Sequence, residues 1–153
     1  MVKIGNLVPD LRGESTAGPV RLRDLRGQAV VVYFYPKDAT PGCTLEAQEF
    51  RDLGAKFARR DVVVLGVSRD SLAAHEKFRA KQKLTFALVS DADETWCRAF
   101  DVIHEKVLYG KRHLGVVRST FLIGPDGRLR REWRGVKVAG HAAAVLEALD
   151  AES

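Results

Sequence analysis

Residues 29–50 read AVVVYFYPKDATPGCTLEAQEF, and the architecture that we predict for the chain starts from this segment. Its first seven residues are a continuous apolar run, which is typical of a strand buried on both faces of a parallel sheet. Thr40 and Pro41 follow as a helix N-cap with proline at the first helical position. A second valine-rich run occupies residues 62–67. Between the two runs, apolar residues recur at the spacing of an amphipathic helix: Phe50, Leu53 and Phe57. The pattern predicts a right-handed βαβ unit.

The remainder of the chain continues the alternation of helices and strands and then changes to a hairpin. We predict a helix at about 71–82, a strand at 86–89, a brief helix at 93–100, strands at 116–123 and 129–133, and a last helix at 141–149. The turn-forming string GPDG at residues 124–127 makes the last two strands an antiparallel hairpin. These elements predict an α/β layered domain with a mixed central sheet flanked by helices, in thioredoxin-like order. No linker divides the chain, so we expect one domain over residues 1–153.

The composition is that of an ordinary globular protein, with 46% hydrophobic and 29% charged residues among 153. The longest apolar runs have seven and six residues, well short of the roughly 20 that cross a bilayer. Residues 1–6 contain no signal-peptide pattern. We therefore expect a cytoplasmic protein that does not bind membranes.

The net charge of +5 is concentrated in residues 104–138, which hold nine Lys or Arg and three Asp or Glu. Charged residues in 128–134 alternate with Leu129 and Trp133, as on the solvent face of a half-buried strand. We therefore expect no nucleic-acid function. Two cysteines and four histidines without metal-ligand spacing predict no metal and no cofactor.

Cys43 falls at the third helical position, inside the first turn. There the unpaired amide hydrogens and the positive end of the helix dipole favour a thiolate. The helix face that carries Phe50 extends back through Glu46 to Cys43, so we expect Cys43 to point into the domain with Glu46 beside it. The alternative is a buried structural cysteine, but such a cysteine does not require a Thr-Pro loop. The pattern favours a reactive thiol.

Two segments resemble a known family. The motif Pro36-x-x-x-Thr40-x-x-Cys43 resembles the active site of the peroxiredoxins, and residues 33–46 as a whole resemble the bacterioferritin comigratory protein, or peroxiredoxin Q, subfamily. RSTFLI at residues 118–123 resembles that subfamily's second signature. The similarity extends over nearly the whole chain, and it implies a thioredoxin-like fold and a thiol peroxidase.

The resemblance also implies roles for individual residues. Cys43 would be the peroxidatic nucleophile, Thr40 would place a hydroxyl near the thiolate and the peroxide, and Pro36 would shield the pocket from water. Arg118 would place a guanidinium beside the sulfur. Glu46 either orients Arg118 through a charge-assisted pair or is a plain carboxylate on the helix surface.

The sequence departs from the subfamily at the second cysteine. Many members have a resolving cysteine five residues after the nucleophile, where this chain has Gln48. The other cysteine is Cys97, which is either a resolving residue or a small apolar filler on a short helix. We favour the filler. Both a one-cysteine cycle and a remote Cys43–Cys97 disulfide remain open.

The sequence therefore predicts a thiol-dependent peroxidase of antioxidant defence that reduces hydrogen peroxide and organic hydroperoxides through a cysteine sulfenic acid. An external thiol such as thioredoxin would restore Cys43, and we expect a monomer. One alternative is a dithiol–disulfide oxidoreductase, but Glu46 stands where its second cysteine would be. Another is a holdase or basic binding protein without enzymatic activity.

Overall fold

A computed structural model describes residues 2–152, and within them strands and helices alternate along the chain. The strands are β1 (Arg12–Ser15), β2 (Gly18–Arg21), β3 (Ala29–Phe34), β4 (Val62–Ser68), β5 (Ala87–Ser90), β6 (Ile103–Leu108), β7 (Lys111–Val116), β8 (Ser119–Ile123) and β9 (Leu129–Arg134). The helices are α1 (Pro41–Asp52), α2 (Gly54–Arg59), α3 (Leu72–Gln82), α4 (Thr95–Ala99) and α5 (His141–Glu152). A short 3₁₀ helix spans Leu22–Leu25.

Seven of these strands form one mixed sheet in the order β2-β1-β5-β4-β3-β8-β9, and β6 pairs with β7 in a separate hairpin. β3, β4 and β5 are parallel, and β8 joins β3 antiparallel. The predicted βαβ unit is confirmed, because β3 and β4 are neighbours and α1 lies between them in sequence. The predicted mixed sheet flanked by helices is confirmed as well.

The interior strand β3 contributes to two hydrophobic layers, because successive side chains of a strand point to opposite faces. Val30, Val32 and Phe34 belong to one layer, which also contains α4. Val31 and Tyr33 belong to the other, which contains buried residues of α1, α2, α3 and α5. Residues on α1 and residues on α4 therefore lie on opposite faces of the sheet.

The prediction of one continuous strand at 116–123 was wrong. The chain leaves β7 after Val116 and enters β8 at Ser119, so Val117 and Arg118 form a break between two strands. The amide of Val117 donates to the carbonyl of Val102, and the carbonyl of Arg118 accepts from Val136. These bonds to other segments satisfy the backbone where the ladder is interrupted.

The charged residues of β9 are exposed, as the alternation predicted, but Leu129 and Trp133 do not share one buried face, because a β-bulge shifts the register. Leu129 pairs with Ile123 but Arg131 pairs with Leu122, which leaves Arg130 as the extra residue. Leu129 consequently packs in the layer with α4, whereas Trp133 packs on the opposite face against the layer with α1. A bulge reverses the inward and outward positions beyond it.

Hairpins β1–β2 and β6–β7 were missed in the sequence, and the separate β6–β7 hairpin is mostly solvent-facing. Its side chains from Lys111 to Leu114 are exposed, so the residues carry no buried-face pattern. Among the described residues, no helix is long and apolar enough to span a bilayer.

A close approach between strands makes Gly66 a test of the packing around Tyr33. A Cβ atom at Gly66 would lie 2.8 Å from Cδ2 of Leu88 and 2.9 Å from Cζ of Tyr33. Gly66→Ala should therefore lower the free energy of unfolding by about 1–3 kcal/mol, because both contacts are buried and cannot yield. Chemical denaturation of both proteins measures the difference.

Gly124→Ala is the matched control. The three atoms nearest to the added Cβ belong to the guanidinium of Arg130, a partly exposed side chain that can move away. We expect a change within about 0.5 kcal/mol for this variant. Equal unfolding free energies for Gly66→Ala and the parent would contradict the proposed close packing.

Candidate active site

Cys43 lies in the first turn of α1, as predicted. The helix begins at Pro41 after Thr40, whose extended backbone (φ −86°, ψ 153°) is that of an N-cap. Thr44 is the first residue of the helix whose amide bonds back along the chain, to the carbonyl of Thr40 at 2.9 Å. The amide hydrogens of Gly42 and Cys43 precede this ladder, so they are available at the sulfur's end of the helix. The Cys43 residue is only 2% exposed.

The hydroxyl of Thr40 does not cap the helix. It donates to the carbonyl of Lys37 at 2.9 Å, within the loop that leads to α1. Its oxygen lone pairs remain able to accept a hydrogen bond. Pro36 is half-buried at the beginning of the same loop. Both residues therefore lie in the segment that delivers Cys43.

Arg118 joins the two acidic groups of the site. Its Nη2 donates to Sγ of Cys43 at 3.4 Å, and its Nη1 donates to Oε1 of Glu46 at 2.6 Å. The side chain of Arg118 is 16% exposed, and that of Glu46 is 1% exposed. Glu46 is thus a buried partner of the guanidinium, and the surface-carboxylate alternative was wrong.

Gly42 allows this approach. A Cβ atom at Gly42 would lie 3.2 Å from Nη2 of Arg118, the nitrogen that faces the sulfur. A side chain there would press on the guanidinium while Cys43 and Glu46 hold it in place. The glycine directly before the cysteine therefore keeps the space through which Arg118 reaches Sγ.

Burial dominates the electrostatics of the carboxylate. Desolvation raises the pKa of Glu46 to about 7, although the Coulomb attraction and hydrogen bond of Arg118 act in the opposite direction. The pKa of Arg118 lies above its ordinary value: burial lowers it, but Glu46 and Cys43 outweigh that effect. Each partner therefore makes the charged form of the other less costly to bury.

Tyr33 and His141 were not singled out in the sequence. The Tyr33 hydroxyl and Oε2 of Glu46 are buried without a hydrogen-bond partner in residues 2–152. Burial, and then the charges of Glu46 and Cys43, raise the pKa of Tyr33 well above its ordinary value. Burial, and then Arg118, lower the pKa of His141 to about 4. Neither residue type is unusual at a buried position, so no sequence signal distinguished them.

Cys97 is remote from this arrangement. It lies in α4, fully buried in the hydrophobic layer on the face of the sheet opposite to Cys43. Burial, reinforced by Asp91, raises the pKa of its thiol far above the ordinary value, which makes it a poor nucleophile near neutral pH. The amide of Cys97 donates to Asp91 at 2.8 Å. Gln48, at the position of the near resolving cysteine, donates to Gln82 of α3.

The sequence matches a known family model. Residues 4–132 match the AhpC/TSA family. The chain is 56% identical to the peroxiredoxin Bcp of Xanthomonas campestris over 132 residues, which cover 86% of this chain and 82% of that protein. It is 48% identical to the peroxiredoxin Bcp of Bacillus subtilis over 149 residues, covering 97% and 95% of the two chains.

Solved structures agree with this match. The bacterioferritin comigratory protein of X. campestris, described with alkyl peroxide reduction activity, superposes with a TM-score of 0.92 at 50% identity, covering 99% of this chain and 98% of that one. A cysteine variant of PrxQ from Xylella fastidiosa superposes with a TM-score of 0.94 at 45% identity, again covering 99% and 98%.

These relatives confirm the predicted subfamily, the thioredoxin-like fold and the thiol peroxidase class. They give no support to a dithiol–disulfide oxidoreductase or to a holdase. A dithiol–disulfide oxidoreductase would have the second cysteine of a Cys-x-x-Cys motif at residue 46. This chain has Glu46 there, and its carboxylate forms an ion pair with Arg118. The chain therefore belongs to the AhpC/TSA family, and within it to the peroxiredoxins of the Bcp, or peroxiredoxin Q, type.

Proposed function

We propose that Cys43 is the peroxidatic nucleophile and that the protein reduces hydrogen peroxide and alkyl hydroperoxides. The observation that carries this proposal is the contact of one guanidinium with both Sγ of Cys43 and the buried carboxylate of Glu46. Arginine stays charged at every relevant pH and holds several donors in one plane. It can therefore stabilise a thiolate and still offer a hydrogen to an incoming oxygen.

The reaction is a two-electron transfer from sulfur to oxygen. The thiolate of Cys43 attacks one peroxide oxygen, an S–O bond forms and the O–O bond breaks. The electron pair of that bond leaves with the second oxygen, which takes up a proton and departs as an alcohol, or as water from hydrogen peroxide. Cys43 becomes a sulfenic acid. Charge builds up on the departing oxygen, so donors aimed at it accelerate the step.

The donors near Sγ are Arg118 and the amides of the first helical turn. We assign Arg118 the stabilisation of the thiolate and of the departing oxygen, and Glu46 the orientation of Arg118. Thr40 has a lone pair to offer to a peroxide hydrogen, while its own hydrogen is held by Lys37. We assign Pro36, which is half-buried at the beginning of the loop, the shielding of the pocket from water.

An external thiol completes the cycle in this proposal. Two thiols reduce the sulfenic acid to the thiol and water and are joined in a disulfide; thioredoxin is the reductant we favour. Cys97 is excluded as a direct partner while the sheet stands between the two sulfurs, because bridging needs Cα atoms within about 7 Å. We propose that the protein acts as a cytoplasmic monomer of one domain, and it needs no metal or cofactor for this chemistry.

Replacing the nucleophile tests the assignment. Cys43→Ser should abolish peroxide consumption, because a serine hydroxyl is not ionised near neutral pH. Peroxide loss with a small thiol as reductant is the measurement, and circular dichroism checks that the variant is folded. The matched control is Cys97→Ser, which removes the other thiol and should keep near-full turnover. Substantial turnover by Cys43→Ser would disprove the assignment of the nucleophile.

Replacing Arg118 separates ionisation from catalysis. Arg118→Ala should slow Cys43 oxidation by about 10²–10³-fold, even at high pH where the thiol is fully ionised. Arg118→Lys keeps the charge but not the planar fork that reaches both Sγ and Glu46, so it should recover only a small part of the rate. Stopped-flow measurement of the second-order rate constant against pH, for each variant, separates the effect on thiol ionisation from the effect on the rate at full ionisation.

Arg134→Ala is the control for the loss of a partly buried arginine. Arg134 donates to the carbonyls of Phe100 and Asp101, and Phe100 belongs to the layer with α4 rather than to the layer of Cys43. We expect Cys43 to be oxidised in Arg134→Ala at the same rate as in the parent protein. Equal rates for Arg118→Ala and the parent at high pH would show that Arg118 acts on ionisation alone.

The mass of the oxidised protein tests the cycle. One equivalent of peroxide should add a single oxygen to Cys43, because no second thiol lies on the same face of the sheet. Intact-protein mass spectrometry under non-reducing conditions distinguishes the products. A monomeric species that has lost two hydrogens would instead identify a Cys43–Cys97 disulfide and a large rearrangement.

A further inference from the structure

A buried hydrogen-bond network lies directly behind the loop that carries Thr40. Oδ1 of Asp38 accepts from the hydroxyl of Tyr35 at 2.6 Å, and Oδ2 lies 2.6 Å from Nδ1 of His75. The other ring nitrogen of His75, Nε2, lies 2.9 Å from the carbonyl oxygen of Val89. Asp38 is 7% exposed and His75 is fully buried. None of these residues contacts Cys43 or Arg118 in the hydrogen bonds described above.

The acceptors around His75 determine where hydrogens must be. A carbonyl oxygen can only accept, so Nε2 of His75 donates to Val89. The contact between Nδ1 and Oδ2 of Asp38 then holds one further hydrogen, since two lone pairs at 2.6 Å would repel each other. Both ring nitrogens are thus engaged, and His75 links the loop at Asp38 to strand β5.

The same aspartate is also held through its backbone. The amide of Asp38 donates to Oδ2 of Asp70 at 3.0 Å, and Asp70 accepts from the hydroxyl of Ser68 at the end of β4. Three segments therefore hold one residue of the loop: Tyr35 directly after β3, Asp70 just after β4, and His75 within α3.

The next residue shows why such anchoring is needed. Ala39 has φ +62°, in the left-handed region that costs a residue with a side chain energy. It lies between Asp38 and the N-cap Thr40, so the turn into α1 is made by a strained residue. Strain of this kind persists only where the surroundings hold it.

The network also resembles a metal cluster in composition, because ligand atoms of Asp38, Asp70 and His75 lie within 4.8 Å of one another. Both carboxylate oxygens of Asp38, both ring nitrogens of His75 and Oδ2 of Asp70 are already engaged by hydrogen bonds to protein groups, however. The arrangement therefore favours a structural role in the loop over a metal site.

We propose that Asp38 and His75 are positioning residues for peroxide reduction: their hydrogen-bonded pair holds the strained loop in the conformation that places Thr40 and the first turn of α1 around Sγ of Cys43. The pair does not touch the reacting atoms. The pair determines the positions of the hydrogen-bond donors that face the peroxide. The proposal rests on the proposed role of Cys43.

The test compares two reactions of the same sulfur. Reduction of a peroxide needs the thiolate and correctly placed donors, whereas alkylation by iodoacetamide needs only an accessible thiolate. Asp38→Ala should lower the second-order rate constant with hydrogen peroxide by at least tenfold, and the rate constant with iodoacetamide should change by less than threefold. Both rates are measured on the Cys43 peptide by mass spectrometry after timed quenching.

Asp38→Asn is the conservative rescue. Its amide oxygen can accept from Tyr35, and its NH₂ group can donate to Nδ1 of His75 while Nε2 still donates to Val89. The network keeps every hydrogen bond, so this variant should keep the peroxide rate within threefold of the parent. A rate as low as that of Asp38→Ala would contradict positioning by hydrogen bonds.

Asp91→Ala is the control for the loss of a buried aspartate. Asp91 is 1% exposed and accepts from two amides of α4, on the other face of the sheet from Cys43. Its removal should lower the melting temperature but leave the ratio of the two rate constants unchanged. If it lowers that ratio as much as Asp38→Ala does, the effect is general destabilisation and the proposal is wrong.

Two further outcomes separate this proposal from the function on which it rests. Asp38→Ala with an unchanged peroxide rate would overturn the positioning role and leave Cys43 as the nucleophile. A parent protein whose Cys43 is not oxidised by peroxide would overturn the proposed function itself. If Asp38→Ala does not fold, His75→Ala and Asp38→Asn provide the same comparison, with His75→Ala expected to lose peroxide rate at least tenfold.

Discussion

The ion pair between Arg118 and Glu46 is the constraint on which the site depends. Burying a carboxylate alone is costly, and the raised pKa of Glu46, about 7, expresses that cost. The pair is nevertheless held at 2.6 Å, with Sγ of Cys43 as the second partner of the same guanidinium. Removing one member of such a buried pair leaves the other uncompensated, so the three groups form one unit.

The fold brings that unit together from two distant segments. Cys43 and Glu46 come from one helix, one turn apart, so their common face follows from helix geometry alone. Arg118 arrives 72 residues after Glu46, from a break between two strands rather than from within one. Because β8 pairs with β3, the strand that leads to the Cys43 loop, the register of that pair brings Arg118 to the start of α1.

The sheet also separates the two thiols. A strand that is buried on both faces divides the interior into two layers, and Cys43 and Cys97 belong to different ones. Their environments differ accordingly: Cys43 lies beside a guanidinium, whereas burial and Asp91 act together on Cys97. The same chemical group is thus placed beside a cation in one layer and beside a carboxylate in the other.

Local patterns in the sequence determined the βαβ unit, the start of α1 at Pro41, the inward direction of Cys43 and Glu46, and the family, because each depends on neighbours within a turn or a strand.

The features that depend on strand register and on burial followed only from the tertiary structure. A single extra residue at Arg130 reversed the faces of β9, and the β6–β7 hairpin had no buried face to reveal it. The pairing of Glu46 with Arg118 and the anchoring of Asp38 by His75 join segments that are far apart in sequence. Such contacts form only when strands pair in one register, and no short pattern records that register.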